Sequence, residues 1–336
     1  MKSKYKNFDT SLRRLPWSDN QSKLQAMIVS TISEWYEAKH RKTSREELDM
    51  INGIVPLRCH HCTSTVFIKY GFRNGLKVFK CKQCNKKFTN LTNTIFDSKK
   101  IPISEWIEYL LHLFEYHSIV TASRDNRNSS STGHYWLEKV FLTLKNCQKD
   151  VKLKNNVYLD EIFFPVIKSK VVTKNGKKLR GISKNKICVA VAIDENNLYI
   201  KVEPTSKPSN LSTWNALGNV IQTGSHLIHD GEHSHGVLID KLNLTSEVYD
   251  TNYTKGLSDK ENPLDPINNI HSLIKYFMKQ HGGYNRDNLQ DWMNLIWFIL
   301  SSPNDVYKKI EKFFKIALAT PKRVKYRDVM LKKSDN

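Results

Sequence analysis

The chain is short of acid. Its 336 residues carry 33 Asp and Glu against 53 Lys and Arg, a formal charge of +20. A surplus of that size repels itself unless something anionic lies near. Nucleic acid is the usual partner of such a surface, and a membrane face the next. Long apolar runs are missing too: none approaches the roughly 18 residues that a membrane-spanning helix requires. The chain opens Met1-Lys2-Ser3-Lys4 and continues polar, without the apolar stretch of a secretory signal, so a reducing cytosol is the expected compartment. Cysteines number only six. In that compartment they are thiols or metal ligands, which excludes a disulfide framework. Hydrophobic residues are not scarce: at 39% they suffice for real cores and exclude wholesale disorder. The length suggests two or three domains, and no internal repeat is present.

Residues 1–50 are polar, with one stretch of helical spacing in which Leu24, Met27, Ile28, Ile32, Trp35 and Tyr36 share a face. Residues 51–98 are basic and rich in turns. Residues 99–150 read as three helices: Pro102 and Ser104 open the first, whose stripe is Trp106, Ile107, Leu110, Leu111 and Phe114. A short second helix runs through Ile119 to Ser123. A polar break at Asp125 to Ser131 precedes a third with Tyr135, Trp136, Val140, Phe141 and Leu144. Beyond residue 151 the texture becomes mixed α/β. Strands are expected at Val157-Tyr158-Leu159, at Ile187 to Ile193, at Leu198 to Val202, at Leu227 to His229 and at Val248-Tyr249. A hairpin is expected at Asn175-Gly176, and helices at 209–222, 268–280 and 286–300. The stretch 318–336 is basic, poor in apolar residues and read as a tail.

Four of the cysteines form two pairs. Cys59 and Cys62 are separated by two residues, as are Cys81 and Cys84, and eighteen residues, 63–80, lie between the pairs. Each pair makes a knuckle that aims two thiolates at one ion, and the spacer makes the ribbon that joins the knuckles. Zinc then supplies folding energy to a segment too short to bury a core. Four thiolates complete a tetrahedral site with no open position, so the ion is structural. His60 and His61 are read as surface residues. Lys69, Arg73, Lys77, Lys80, Lys82, Lys86 and Lys87 surround the cysteines, as expected of a ribbon resting on phosphates. Cys147 and Cys188 are isolated and read as packed thiols.

Three helices with a polar break before the last resemble a helix-turn-helix, in which the last helix enters the major groove. Ser129, Ser130, Ser131 and His134 would then open the reading helix, with Arg124 and Arg127 beside the backbone; a plain bundle fits the same pattern. Further on, Asp160 and Asp230 each follow apolar strand residues. Carboxylates on neighbouring strands can share magnesium or manganese, which prefer oxygen. Two such ions roughly 4 Å apart can serve phosphoryl transfer. Glu161 alternates to the other face of its strand and is the weaker candidate. His229, His233 and His235 are disfavoured as a second metal site, since a hard-metal site prefers oxygen.

At these residues the chain resembles a known family. The ribbon from Arg58 to Phe88, Val157-Tyr158-Leu159-Asp160-Glu161, His229-Asp230-Gly231-Glu232-His233-Ser234-His235 and Asn268-Asn269-Ile270-His271-Ser272-Leu273-Ile274-Lys275 look like the zinc-ribbon insertion-sequence transposases of the DDE superfamily. The likeness runs in order from about residue 50 to 330 and is closest to the ISXO-type branch, which carries Asn at the third metal position and a basic residue after it. It implies a multidomain chain: an N-terminal helical segment (1–50), a zinc ribbon (51–98), a helix-turn-helix-like region (99–150), an α/β RNase H-like catalytic domain (151–317) and a basic tail (318–336). It also implies a bacterial enzyme that cuts transposon ends and joins them to target DNA. Asp160, Asp230 and Asn268 match the metal-binding positions for magnesium or manganese, and Lys275 matches the basic residue, expected to hold a phosphate. Seven residues separate Asn268 from Lys275, close to two helical turns, so both share a face. An Asn offers one neutral carbonyl oxygen and binds metal more weakly than Glu.

The implied partners are double-stranded DNA at transposon ends and target, and a second copy or more of this chain, in the cytoplasm at the nucleoid. Departures are His60 where Pro is frequent, and Gly282-Gly283-Tyr284-Asn285 after Lys275. Two rivals stand beside this reading. One is a DNA-binding regulator with an inactive transposase-derived domain; the other is a nuclease that cuts without joining.

Overall fold

The computed structural model describes residues 45–329 apart from Ser98, Lys100, Arg180, Ile182 and Thr320. The helical stretch expected from Leu24 to Tyr36 lies outside the described residues. Helix α1 (Arg45–Gly53) leads into a three-stranded antiparallel sheet, β1 (Phe67–Arg73), β2 (Leu76–Cys81) and β3 (Lys87–Phe88), in the order β1-β2-β3. Asn74 and Gly75, at φ of 51° and 78°, form the two-residue turn between Arg73 and Leu76, a conformation that favours these residue types. The apolar cluster inside this unit is small, with Cys59, Phe79, Cys81 and Phe88 buried, too little to hold it folded alone. Asn52 ties it to α1: its Oδ1 accepts the Lys77 amide at 2.8 Å and its Nδ2 donates to Gly75 O at 2.8 Å.

Helices α2 (Ile103–Phe114), α3 (Ile119–Asp125) and α4 (Ser130–Leu144) follow. Ser118 and Ser129 cap α3 and α4, each accepting from the amide three residues on. The buried stripe of α2 is Ile103, Trp106, Tyr109, Leu110 and Leu113, so Ile107 and Leu111 sit at its half-buried margin. Trp106 stacks on Trp136 at 4.3 Å. The crossing of α3 and α4 is close because Gly133 has no side chain: a Cβ there would fall 1.8 Å from Ser123 Oγ.

The second half is a mixed five-stranded sheet. In chain order its elements are β4 (Asn156–Pro165), a small hairpin β5 (Thr173–Lys174) and β6 (Lys177–Lys178), β7 (Lys186–Ile193), β8 (Leu198–Val202), α5 (Asn210–Leu217), β9 (His226–His229), α6 (Gly236–Leu242), β10 (Thr245–Val248), α7 (Thr251–Thr254), α8 (Asp265–Gln280), α9 (Leu289–Leu300) and α10 (Val306–Ala319). Sheet order is β10-β9-β4-β7-β8. β4 runs antiparallel to β7 and parallel to β9, and β9 runs parallel to β10. The hairpin turn at Asn175 and Gly176, both at positive φ, is where the sequence places it. The edge strand β8 is covered by side chains: Gln148 bonds both N and O of Ile200, and Gln290 accepts the Val202 amide at 2.8 Å. Such covering leaves no free ladder for another chain.

Alternation along β4 splits its side chains between two cores. Val157 and Leu159 join Leu217, Leu227 and Leu238 beneath α5 and α6. Ile162 and Phe164 join Ile274, Phe277 and Trp292 of α8 and α9, in a core continuous with Trp136 and Phe141 of α4. The helical region and the sheet thus share one interior. The segment from residue 321 to 329 does not extend as a free tail. Tyr135 donates to Val324 O at 2.8 Å, Lys322 to Thr143 O at 2.9 Å, and Arg323 meets Asp97 at 3.4 Å. No helix among the described residues is long and apolar enough to cross a membrane.

Candidate functional site

The four cysteines converge. Sγ of Cys59 lies 3.8 Å from that of Cys84, Cys62 lies 3.6 Å from Cys81, and all four sulfurs fall within 4.8 Å of one another. Tetrahedral zinc with Zn–S near 2.3 Å sets its sulfurs about 3.8 Å apart, so the donor set and spacing fit a structural zinc. The knuckles supply N–H···S bonds: His61 N to Cys59, and Gln83 N and Cys84 N to Cys81, at 3.4–3.5 Å. The Cys84 amide, with Gln83 helping against desolvation, holds the Cys81 thiol down at about 6, which favours the thiolate a metal needs. One expectation is corrected. His60 is buried at 2% exposure, not a surface residue; its Nδ1 pairs with Thr92 O at 2.8 Å, and burial keeps it neutral by lowering its pKa. Lys77 also turns inward, donating to Asn52 O at 2.9 Å, whereas Lys69, Arg73, Lys82, Lys86 and Lys87 are exposed.

The second site lies where β9 ends. β9 pairs with β4 only from Asn156 to Leu159, the last partners being Leu159 and His229. Continuing the register by one residue sets Asp160 beside Asp230, on strands about 4.8 Å apart. Here the chain, having laid β7 and β8 on one side of β4, returns to the other; crevices at such reversals are where open α/β sheets bind ligands. Gly231, at φ 88°, makes the exit, and a Cβ on it would meet Val248 Cγ1 at 2.8 Å. Asp160 accepts the Glu161 amide at 2.7 Å, and Asp230 accepts the Glu232 amide at 2.9 Å. Burial first, then the charge of Asp230, pushes the Asp160 carboxyl up to about 7. Two ionised acids so placed call for a cation, and an all-oxygen pair fits magnesium or manganese.

Helix α8 descends on the same face. His271 Nδ1 lies 3.6 Å from Asp160 Oδ2. Burial, then the Lys275 ammonium, pushes His271 down to about 4, so it adds no charge to offset the acids. Asn268, one turn earlier, is half-buried on this face, and Lys275, one turn later, is exposed. The geometry therefore gathers Asp160, Asp230 and His271, with Asn268 and Lys275 on the helix above them. His271 had no role assignable from sequence; only the docking of α8 against β4 reveals it.

Glu161 points to the opposite face, as alternation requires, and is buried at 9% exposure. It is paired there. His235 Nε2 donates to Glu161 Oε1 at 2.9 Å, and His235 Nδ1 donates to His229 Nδ1 at 3.0 Å. His229 Nδ1 also accepts the Gly231 amide at 3.2 Å. Burial opposes a charged His235, but the hydrogen bond and charge of Glu161 outweigh it and raise its pKa. Burial and the neighbouring His235 push His229 down to about 4. The result is a hydrogen-bonded Glu161–His235–His229 chain that ends one residue from Asp230 and braces its loop. His229, Asp230 and His235 each bring a ligand atom within 4.8 Å of the others, but both ring nitrogens of His235 are engaged in this chain. His233 is exposed.

The amino-terminal turn of α4 is open, with Ser129, Ser130 and Ser131 exposed, as are Arg124 and Arg127, and His134 half-buried. Further along, Trp136, Leu137, Val140, Phe141 and Leu144 are buried, with Trp136 on Trp106 of α2 and Phe141 against Trp292 of α9.

No protein-family model and no curated protein matches the sequence. Solved structures do match. One is a chain of a simian T-cell lymphotropic virus intasome in complex with PP2A regulatory subunit B56 gamma: 10% identity, TM-score 0.28, 56% of this chain and 67% of that one. Another is the Mos1 transposase paired-end complex with left transposon end: 11% identity, TM-score 0.27, 62% of this chain and 75% of that one. A third is the Mos1 mariner paired-end complex with Mn: 13% identity, TM-score 0.21, 65% of this chain and 79% of that one. At such scores the likeness assigns no residue a role.

Proposed function

We propose that the chain is a metal-dependent DNA transposase of the zinc-ribbon DDE type, with an RNase H-like catalytic domain and Asn at the third metal position. The observation that carries this reading is the pairing of Asp160 with Asp230 at the strand reversal, beneath the face of α8 that bears Asn268 and Lys275. Asp160 and Asp230 would hold magnesium or manganese, with Asn268 giving a carbonyl oxygen from α8. When bound, the metal supplies Lewis-acid stabilisation of the phosphoryl group and a more acidic oxygen nucleophile. The protein's own share is positioning. The Glu161–His235–His229 chain fixes the Asp230 loop, neutral His271 sits against Asp160 without competing for its charge, and Lys275 reaches outward to a phosphate. The zinc ribbon and the open turn of α4 would hold the transposon-end duplex, with a second copy holding the other end.

A built acid pair favours the enzyme over the regulator with an inactive remnant. The test is a duplex carrying the element's terminal repeats, incubated with the full chain in magnesium or manganese. Nicked end and joined product from wild type, both lost in Asp160→Ala while duplex binding persists, support the reading. Equal behaviour of the two proteins overturns it, and cutting without any joined product reduces it to a nuclease.

A further inference from the structure

A second histidine cluster lies apart from both sites above, at the corner between α2 and α3. Helix α2 ends on a left-handed residue that is not glycine: Tyr116 has φ 67°. The Tyr116 amide bonds Leu113 O at 3.2 Å, and the His117 amide reaches back to His112 O at 2.9 Å. This is the closure that ordinarily selects glycine, so tyrosine holds it against a steric preference. The closure folds His117 over His112, with ring centres 5.1 Å apart and planes 32° apart. Asp125, the last residue of α3, arrives at the same point. One ligand atom from each of His112, His117 and Asp125 lies within 4.8 Å of the others.

The hydrogen bonding of these groups is incomplete. Nδ1 of His112 and Nδ1 of His117 are both shut away from solvent, and neither has a partner among the described residues. Buried ring nitrogens are ordinarily satisfied. Asp125 is engaged through Oδ1 with Arg124 Nε at 3.3 Å, but both side chains are exposed, at 37% and 56%, and such surface pairs hold weakly.

We propose that His112, His117 and Asp125 bind one transition-metal ion of the zinc class, joining the end of α2 to the end of α3. Two imidazoles and one carboxylate are a borderline donor set suited to zinc. Ligand atoms about 2.0–2.2 Å from the ion stand about 3.3 Å apart, so side-chain rotation within the present span closes the site. Three protein ligands leave a fourth position to water. This ion is therefore held less tightly than one on four thiolates and exchanges more readily. The inference does not depend on the transposase reading.

The test counts metal on the full chain. Protein equilibrated with zinc and desalted is expected to carry two equivalents, and a mild chelator should remove one of them first. His117→Gln and Asp125→Asn should each carry one equivalent, with an unchanged circular dichroism spectrum. Added cobalt should give a second equivalent whose spectrum lacks sulfur-to-metal charge transfer, and this too should vanish in both variants. One equivalent in wild type overturns the proposal. So does a second equivalent that persists in both variants, or one that shows thiolate character.

Discussion

Lys139 lies in the middle of α4 with its ammonium closed in: Nζ stands 4.4 Å from the Tyr135 ring centre and 5.7 Å from that of Trp106. The aromatic faces attract it, but burial, the larger effect, lowers its pKa to about 8. The sign follows from the unfolded value of about 10.4. Below pH 8 the amine is charged in both states and the folded protein bears the whole desolvation penalty. As pH rises from about 8 toward 10.4, the folded state sheds its proton first and stability increases by roughly 1–3 kcal/mol. Lys139→Met, similar in length and apolar, is expected to stabilise by the same order at pH 7 and to flatten that rise. Denaturant midpoints measured from pH 7 to 10.5 check both. Single residues were unevenly legible in the sequence. Asp160 and Asp230 showed themselves as acids following apolar strand residues, and the cysteines by spacing. His271 and the Glu161–His235–His229 chain did not, because each depends on which helix face lands on the sheet. His60 reads as a surface residue in the sequence because its partner, Thr92, is set by the fold of the loop after β3.

Among the elements, the close crossing of α3 on α4 rests on Gly133. Adding a Cβ puts it 1.8 Å from Ser123 Oγ and 3.1 Å from Ser123 Cβ, and Ser123 cannot swing aside without giving up its 2.6 Å bond to Ile119 O. Gly133→Ala is expected to destabilise by about 1–3 kcal/mol, the range for overpacking. Adding Ser123→Ala to it removes the nearer clash and should recover part of the loss. The four proteins of that cycle, compared by thermal melts, should show a coupling energy above about 0.5 kcal/mol; additivity would mean that the helices simply spread. Elements were more legible than residues. The hairpin at Asn175-Gly176 and the strands at 187–193 and 198–202 were readable because turn chemistry and β-branched runs are local signals. Helices α1 and α10 were not. In α10, Ile310, Phe313, Phe314, Ala317 and Leu318 are buried at helical spacing, but lysines at 308, 309, 312 and 315 break up the run. Its buried face becomes evident only against α2 and α4.

For the molecule as a whole, the charge of +20 and its placement decide how DNA would be held. The exposed Lys69, Arg73, Lys82, Lys86 and Lys87 belong to the ribbon, Arg124 and Arg127 to the open corner before α4, and Lys275 to the helix above Asp160. These groups are solvated, so each would contribute by releasing counterions rather than by a buried ion pair. A duplex touching six to ten such groups loses about 10³–10⁵ in affinity between 50 and 200 mM salt. That steepness is expected here, and it reports the number of phosphates held, independent of any cleavage. Replacing Lys82, Lys86 and Lys87 together by Ala should lower the slope of log K against log salt by about 2–3, roughly 0.9 per lost contact. The same triple replacement of Lys149, Lys152 and Lys154, which precede β4, should leave the slope within error. Binding isotherms at four salt concentrations separate the cases. Equal slopes for the two triple variants would show that the charge acts as a diffuse field and that the ribbon is no DNA contact.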